Sequence, residues 1–576
     1  MLARIVFALL LLPMISQAAD TATGDLSPVA GFTHTEALRL GERMYREGIL
    51  PNGEPMQAVV VGDIAMDGRM FTCVNCHQRS GQGSVEGPII TWPTGANNLF
   101  VPRRRTGAWN ADKAAQGPGA VERWSLPRQY QAADARPAYT DETLAHMFRT
   151  GVDSAEHQLM DIMPRYKLDD DEMAVLIHYL KNLSAAKDPG VDDEFIRFAT
   201  VITEGVNEID RDAMLAVLKQ HISAHNTQTR PHLRRAESGP FYKTEKWGAY
   251  RQYELDVWEL KGPEETWGKQ LEEYYEAKPV FALLGGIGSG SWKPVHQFCE
   301  ENEIPNIFPV TERPVVSDTD WYTLYFSKGM YQEGEAAANF LLNEKDRNNT
   351  VIQVFKAGSK GEGIARGFEK TWQDAVGNSG RGELINKVIT GAEDLSSQWL
   401  KENTSDRPVT LLLWLDNSVA AQVFQSKLFE NSPDQKLFLS TSLLAAEVSI
   451  IPKNMRDSVF LTHPHSLPED YDTKSMVLKL WLKSRNIEVS NLDIQSKMYF
   501  LGWMLPGAVK HMRSEFYRDY FLESFDMMID QDYAVAVYPR LSFGQGQRYA
   551  AKGCYIVQLT GDDITEVKMV GDWVVN

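Results

Sequence analysis

The pentapeptide Cys73-Val74-Asn75-Cys76-His77 is the feature that most constrains this chain. Its two thiols can bond both vinyl groups of one haem, and the histidine that follows can ligate the iron. A zinc site would need about four ligands, yet the other cysteines, Cys299 and Cys554, lie far along the chain. A redox-active thiol pair would accompany a βαβ pattern, whereas glycine-rich loop surrounds this motif. The motif therefore predicts one covalently attached haem c, with Cys73 and Cys76 as attachment points and His77 as an iron ligand.

The amino terminus predicts export. Arg4 precedes a short apolar run over residues 5–12, and Ser16-Gln17-Ala18 has the small-x-small pattern of a cleavage site. The run is much shorter than the roughly 20 residues of a membrane span. We therefore expect residues 1–19 to be a cleaved signal peptide, and the mature protein to be periplasmic with no membrane span.

Length and charge narrow the classes of function. A chain of 576 residues exceeds one typical core, so several domains are expected. Lys and Arg number 59 against 77 Asp and Glu, and 59 − 77 gives a net charge of −18. Such an acidic chain, without basic and aromatic stretches, argues against nucleic acid or an anionic membrane surface as partner.

Residues 20–186 are predicted to form the haem domain. The Thr33-x-x-Glu36 pattern predicts the start of one helix, and the acidic cluster at residues 169–172 predicts the start of another. Apolar residues recur at helical spacing in the second helix, at Met173, Leu176, Ile177, Leu180 and Leu183. The segment between the helices contains the haem motif and a long loop region.

This segment resembles a class I cytochrome c, which implies an all-α domain. In that family a glycine of the first helix lets an aromatic residue of the last helix pass closely, and Gly41 and Tyr179 match that pattern. The family's sixth iron ligand is a methionine before the last helix, which places Met163, in Met163-Pro164, as the distal ligand. Met160 and His157 remain alternatives. A thioether favours ferrous iron and raises the reduction potential, which favours electron transfer over oxygen chemistry.

Residues 187–194 are predicted to be a linker because Pro189-Gly190 interrupts a small and charged stretch. Beyond it, apolar runs alternate with amphipathic segments and end in small polar loops. The clearest runs are residues 280–284, 351–355, 409–415 and 437–439. This alternation predicts a doubly wound parallel sheet, with ligands at the carboxyl ends of the strands.

Residues 195–576 resemble the type 1 periplasmic binding proteins of the branched-chain amino-acid receptor group. The resemblance is carried by the loop at residues 285–291 with Pro294-Val295, by residues 304–309, 325–327 and 334–338, and by residues 541–546. It implies two α/β lobes around a cleft, with crossings near residues 318–321, 462–464 and 538–539. The overall fold class is thus multidomain, an all-α cytochrome c domain followed by a two-lobed α/β fold with parallel sheets.

The same resemblance suggests ligand-binding residues in the cleft. Ser289 and Ser291 would hold an acceptor group together with backbone amides of the loop, and Thr311 would contribute from the next loop. Amino-acid receptors place an acidic residue after a second-lobe strand, whereas the matching position here reads Ser440-Thr441-Ser442. This difference argues against a standard amino acid and favours a small polar, anionic molecule, or a cleft that serves only as a docking scaffold.

Three functions of different classes follow. A periplasmic single-electron carrier with one His/Met haem c would use the second domain for ligand sensing or for docking a redox partner, such as an oxidoreductase or another cytochrome. A solute receptor of an ABC-type uptake system would carry the haem as an accessory. A haem enzyme would need an open iron site and usually a second haem, but the motif occurs once. The carrier is the predicted function, with no catalytic residues assigned.

Overall fold

The computed structural model describes residues 28–60, 64–86, 89–103, 135–238, 251–343, 350–376, 382–396, 398–399, 402, 409–426, 428–429, 435–445, 447–528, 536–571 and 573–575. The predicted signal peptide lies outside these residues. The chain divides into two compact units, Met1–Ala186 and Lys187–Asn576.

Helices form the core of the first unit. They are α1 (His34–Glu47), α2 (Cys73–His77), α3 (Ala96–Leu99), α4 (Asp141–Thr150) and α5 (Asp170–Asn182). Thr33 caps α1 by accepting a hydrogen bond from the amide of Glu36, and Asp169 and Glu172 cap α5 reciprocally. The predicted apolar stripe of α5 is buried, which confirms its core-facing side.

Helices α1 and α5 cross where the sequence predicts a close approach. Gly41 is buried, and a Cβ atom placed on it would lie 2.5 Å from the Cβ of Tyr179 and 2.8 Å from the carbonyl oxygen of Val175. The rings of Tyr45 and Tyr179 pack beside this crossing, with centroids 5.5 Å apart. The predicted pairing of Gly41 with Tyr179 is confirmed, because only glycine leaves room for the facing helix.

The first unit also contains β structure, so the all-α prediction is met only in part. Strands β1 (Gln57–Val60), β2 (Ile64–Asp67) and β5 (Arg165–Lys167) form an antiparallel sheet in the order β2-β1-β5. A second pair joins β3 (Val85–Glu86) to β4 (Ile89–Ile90). The sheet forms because β5 returns, far along the sequence, to pair with the hairpin of β1 and β2. Short strands of this kind give little periodic signal.

The first lobe of the second unit is a doubly wound parallel sheet. Strands β6 (Phe195–Ile202), β7 (Gln252–Glu259), β8 (Ala282–Leu284), β9 (Asn306–Ile307) and β10 (Thr323–Leu324) lie in the order β10-β9-β8-β6-β7. Helices α6 (Glu208–Ser238), α7 (Trp267–Ala277) and α8 (Lys293–Glu301) connect them. Helices α12 (Pro468–Lys483), α13 (Leu492–Met512) and α14 (Arg518–Asp526) complete the lobe, and their apolar faces share one core with the sheet.

The second lobe has its own sheet. Strands β11 (Thr350–Lys356), β12 (Leu384–Ile389), β13 (Val409–Trp414), β14 (Lys436–Ser440) and β15 (Val459–His463) are parallel, in the order β12-β11-β13-β14-β15. Strands β16 (Gly553–Leu559), β17 (Val567–Met569) and β18 (Val574–Val575) extend the edge in antiparallel fashion. Helices α9 (Met330–Asn343), α10 (Lys360–Val376) and α11 (Asn417–Gln425) pack on the sheet. The predicted α/β fold with parallel sheets is confirmed.

The lobes are joined at three places, two of which differ from the prediction. Residues 318–321 precede β10, which still belongs to the first sheet, so the first crossing follows at residues 325–329. The second crossing follows β15 and includes Pro464, as expected. Residues 538–539 lie in the first-lobe region, and the last crossing falls just before β16. The first and last crossings run side by side, because Tyr325 and Arg548 are joined through their backbones.

Residues 187–194 are held against the second unit. The carboxylate of Asp188 accepts a hydrogen bond of 2.6 Å from the backbone amide of Arg518, and a Cβ on Gly190 would lie 2.1 Å from the amide nitrogen of Phe281. The guanidinium of Arg518 is buried and donates to the carbonyls of Val280, Phe281, Asn302 and Glu303 and to the hydroxyl of Tyr275.

Candidate haem centre and interlobe cleft

The haem motif forms a single helical turn. Helix α2 consists of Cys73 to His77 only, with Cys73 buried and Cys76 exposed. Neither thiol is paired with another cysteine, and Cys299 and Cys554 are also unpaired and buried. The turn therefore presents two free thiols and an imidazole from one short element, which is the arrangement that covalent haem attachment requires.

The ring of His77 is oriented for ligation. Its Nδ1 lies 2.9 Å from the carbonyl oxygen of Trp92. Because a carbonyl can only accept, Nδ1 carries the hydrogen and the lone pair of Nε2 is left for a metal. Burial lowers the pKa of His77 to about 4, so its imidazole is neutral at pH 7, as iron ligation requires.

The three candidate distal ligands have different surroundings. Met163 is partly buried and packs against the core of the first unit. Met160 is 58% exposed. His157 is exposed and its Nδ1 lies 3.4 Å from the carboxylate of Asp153. Of the three side chains, Met163 alone packs against the apolar core, as a partly buried side chain.

Tyr166 lies beside the buried attachment cysteine. Its hydroxyl donates a 2.7 Å hydrogen bond to the carbonyl oxygen of Phe71 and is close to the thiol of Cys73. Burial raises the pKa of Cys73 to about 12, so before attachment this thiol is neutral. Tyr166 was not among the site residues predicted from the sequence, although it follows Met163 by only three positions.

The surroundings of the motif fit a bound haem. Thr72 Oγ1 and Gln82 Nε2 are buried without a hydrogen-bond partner, and both flank the motif. Large apolar side chains are exposed on the segments around the motif and Met163, namely Ile64, Met70, Val85, Trp92, Val101 and Ile162. Buried polar atoms without a hydrogen-bond partner cost folding free energy, and grouped apolar side chains on a surface mark a binding site. A large apolar cofactor with polar substituents would compensate both.

The predicted cleft residues all lie in the first lobe. The hydroxyl of Ser289 donates a 2.6 Å hydrogen bond to the carbonyl of Glu204. The hydroxyl oxygens of Ser291 and Thr311 accept hydrogen bonds from the amides of Lys293 and Arg313, each at 3.1 Å. Ser289 thus donates to a distant segment of the lobe, whereas Ser291 and Thr311 each accept one hydrogen bond within a local turn.

The backbone of the glycine loop is also engaged. The amides of Gly285, Ile287 and Gly288 donate to the carbonyls of Ile307, Val201 and Val310, and the amide of Ser289 donates to Thr203 Oγ1. Four amides of the loop are thus satisfied within the lobe, in addition to the Ser289 hydroxyl.

The second lobe supplies a carboxylate that the sequence analysis did not anticipate. Glu333, on α9, lies close to the carboxyl end of β14. Its Oε2 accepts a 2.5 Å hydrogen bond from the hydroxyl of Thr462, and its carboxylate also interacts with Ser440 and Ser442. Burial raises the pKa of Glu333, against the opposing effect of these hydroxyls. Because Glu333 is 1% exposed, its carboxylate is enclosed rather than presented to a ligand.

The two lobes are joined across the cleft by an ion pair between Lys360 and Glu312.

At the carboxyl ends of β11 to β13, a pocket lined by Lys356, Thr390 and Asp416 has a volume of about 10 Å³. That is roughly the space of one water molecule. This pocket is too small for a metabolite.

Comparison with known proteins identifies the first unit. Residues 69–184 match the model of the family described as Cytochrome c. They form a cytochrome c domain. This family implies a covalently bound haem, in agreement with the geometry of α2. The chain joins this cytochrome domain to an α/β unit with the two lobes and three crossings that the resemblance to type 1 periplasmic binding proteins implies.

Solved structures similar to the chain include ABC substrate-binding proteins. A fatty acid ABC transporter substrate-binding protein from Thermomonospora curvata is 14% identical, with 68% of this chain and 95% of that chain covered and a TM-score of 0.39. A putative branched-chain amino acid ABC transporter from Rhodospirillum rubrum is 12% identical, with 66% and 99% covered and a TM-score of 0.45. A leucine-binding protein from Thermotoga maritima is 12% identical, with 66% and 99% covered and a TM-score of 0.40.

The curated proteins include no match to this chain. Within the part of the chain that the structure describes, no helix has the length and apolar character of a membrane span.

Proposed function

We propose that the cytochrome domain is a periplasmic carrier of single electrons, with one haem c attached at Cys73 and Cys76 and ligated by His77 and Met163. The bound haem supplies one-electron chemistry at its iron. The carbonyl of Trp92 fixes the tautomer of His77 whose Nε2 can ligate the iron. Two protein ligands would leave no open position for a substrate, which supports a carrier rather than an enzyme.

The observation that carries this proposal is the contrast among the distal candidates. Met163 packs against the core, whereas Met160 and His157 are exposed. A ligand that packs against the apolar core restricts the access of water to the iron, and burial around a haem is one of the factors that set its potential. Export fits the same function, because cytochromes c and periplasmic binding proteins are typically exported.

Substitution of the two methionines tests the ligation. Met163→Ala should remove the weak far-red sulfur-to-iron absorption band and lower the reduction potential, because the thioether that favours ferrous iron is lost. Met160→Ala is the matched control and should leave both unchanged. Loss of the band in Met160→Ala, with its survival in Met163→Ala, would contradict the assignment.

We further propose that the α/β unit is a docking module for a redox partner. The hydroxyls of Ser289, Ser291 and Thr311 are used in local hydrogen bonds, and so are four amides of the glycine loop. The Lys360–Glu312 pair occupies part of the cleft. A receptor site normally keeps a few convergent polar groups for its ligand, whereas the O–H donor of Ser289 and these four amides are already engaged.

A thermal-shift screen of the full-length protein tests docking against solute binding. A ligand at 100 times its Kd stabilises the protein by about 2.7 kcal/mol. We expect amino acids, organic acids and aromatic acids to leave the unfolding temperature of the α/β unit unchanged. A reproducible rise with one of these compounds, abolished in Ser289→Ala, would favour the solute receptor.

A further inference from the structure

The hydroxyl of Tyr166 connects the segment that follows Met163 to the segment that precedes the haem motif. Tyr166 lies in β5, three residues after Met163, and its hydrogen bond of 2.7 Å reaches the carbonyl of Phe71, two residues before Cys73. The side chain is 3% exposed, so water does not compete for this bond. The hydrogen bond spans 95 positions of the sequence.

We propose that Tyr166 is a positioning residue that keeps Met163 on the iron, by tying the strand after the distal ligand to the segment before the haem motif. This inference rests on the proposed His/Met ligation and goes beyond it, because it assigns the residue that controls ligand exchange.

The anchoring of Met163 is one-sided. On its amino-terminal side, Met160, Asp161 and Ile162 are exposed, and a turn hydrogen bond of 3.0 Å joins the amide of Met163 to the carbonyl of Met160. On its carboxyl-terminal side, Arg165 and Tyr166 pair with β1. The position of the thioether is therefore determined mainly from β5.

Tyr166 is the residue through which β5 reaches the haem motif. Arg165 connects β5 to other parts of the unit, with hydrogen bonds of 3.0 Å to the carbonyl of Thr150 and 3.2 Å to Asp161. The ring of Tyr166 packs edge-on against Phe148, with centroids 6.4 Å apart, which fixes the direction of the hydroxyl. Removal of the hydroxyl would leave the ring in place and release the link to Phe71.

Exchange of the distal ligand reports directly on this role. In ferric protein, added imidazole competes with Met163 for the iron, so its apparent affinity measures how firmly the thioether is held. Tyr166→Phe deletes one buried hydrogen bond and leaves the carbonyl of Phe71 unsatisfied. We expect imidazole to bind about tenfold more tightly to this variant, which corresponds to the loss of one such bond.

Tyr45→Phe is the matched control. The hydroxyl of Tyr45 also donates a buried hydrogen bond in the same unit, of 2.8 Å to the carbonyl of Gln78, which follows His77, whereas the hydrogen bond of Tyr166 starts from β5. Tyr45→Phe should lower the unfolding temperature of the cytochrome domain about as much as Tyr166→Phe does, with imidazole affinity unchanged. Both variants keep their rings, and haem retention after denaturation establishes that each has been assembled.

The outcomes separate the two proposals. Tighter imidazole binding in Tyr166→Phe alone supports the positioning role. Equal affinities in the wild type and Tyr166→Phe, or equal tightening in both variants, would overturn it. A wild-type protein without the sulfur-to-iron band would instead refute His/Met ligation itself. If Tyr166→Phe retains too little haem, Arg165→Gln, which weakens β5 at a half-buried position, provides the same titration and is expected to tighten imidazole binding.

Discussion

The haem motif and the glycine loop are both short segments for which the sequence predicts binding, but their polar groups differ in the folded protein. Beside the motif, Thr72 Oγ1 and Gln82 Nε2 are buried without partners, and the Nε2 lone pair of His77 is open. In the glycine loop, four amides and the hydroxyl of Ser289 are bonded within the lobe. A site that awaits a ligand keeps uncompensated polar groups, because the ligand will satisfy them. The bonded amides and the Ser289 hydroxyl of the glycine loop have a structural role.

The largest effect is expected from removal of both cysteines of the haem motif. Cys73→Ala combined with Cys76→Ala should abolish covalent haem, because no thiol remains at α2 to form a thioether. The α/β unit should keep its own unfolding transition, since it is a separate compact unit. Haem staining of denatured protein measures the first result, and calorimetry measures the second.

The other two cysteines provide the control for this prediction. Cys299→Ala and Cys554→Ala remove buried, unpaired thiols of the α/β unit, so haem attachment should be complete in both. Covalent haem in the protein that lacks Cys73 and Cys76 would show that the motif is not the attachment site.

A smaller effect, on the free energy of unfolding, is expected when one helical glycine of each unit is replaced by alanine. Gly41→Ala places a methyl group 2.5 Å from the Cβ of Tyr179, so α1 and α5 must separate. We expect a loss of about 3 kcal/mol in the free energy of unfolding of the cytochrome domain. Gly268→Ala, in α7, has no neighbouring atom within 4 Å and should stabilise the α/β unit by about 0.5 kcal/mol. Denaturant titration measures both, and similar effects at the two positions would contradict the close crossing.

The smallest predicted effect concerns pH and the α/β unit. His221 stacks on Trp481 with centroids 4.8 Å apart, and burial, with a contribution from Arg485, lowers its pKa to about 4. The unfolded chain therefore binds a proton near pH 6.5, whereas the folded unit does so only near pH 4. Stability is present above pH 6.5 and is lost as the pH falls towards 4.

Between pH 7 and pH 5, His221 should contribute a loss of roughly 2 kcal/mol in the free energy of unfolding. His221→Phe keeps a ring against Trp481 and should reduce the pH dependence by that amount, as measured by denaturant unfolding at the two pH values. An unchanged slope in the variant would mean that His221 titrates normally in the folded protein.

The sequence predicted features whose signals are local. The Cys73–His77 turn, the cap of α5 and the apolar strands β8, β11, β13 and β14 each depend on a few consecutive residues. The Gly41 and Tyr179 crossing was predicted through the family resemblance. The α/β fold with parallel sheets followed from the alternation of strands and helices.

The sequence did not predict contacts that depend on distant pairing. The three-stranded sheet requires β5 to return to β1, and the carboxylate under Ser440 comes from Glu333 on another element. The position of the first crossing depended on whether the two-residue strand β10 belongs to the first sheet. Strands this short carry almost no periodicity, and side chains such as Glu333 and Tyr166 acquire their roles only through tertiary packing.

The bonds made by Asp188 and Gly190 have a consequence for how this protein can be divided or recombined. Asp188 receives the amide of Arg518, and Gly190 fits against the backbone of Phe281, so the segment that resembles a spacer is part of the α/β fold. A gene fragment that starts at Asp193 would omit these contacts, whereas one that starts at Lys187 would retain them. Ser184 and Ala185 are bonded to the cytochrome unit, so exchange of the cytochrome domain for another carrier should be made between Ala186 and Lys187.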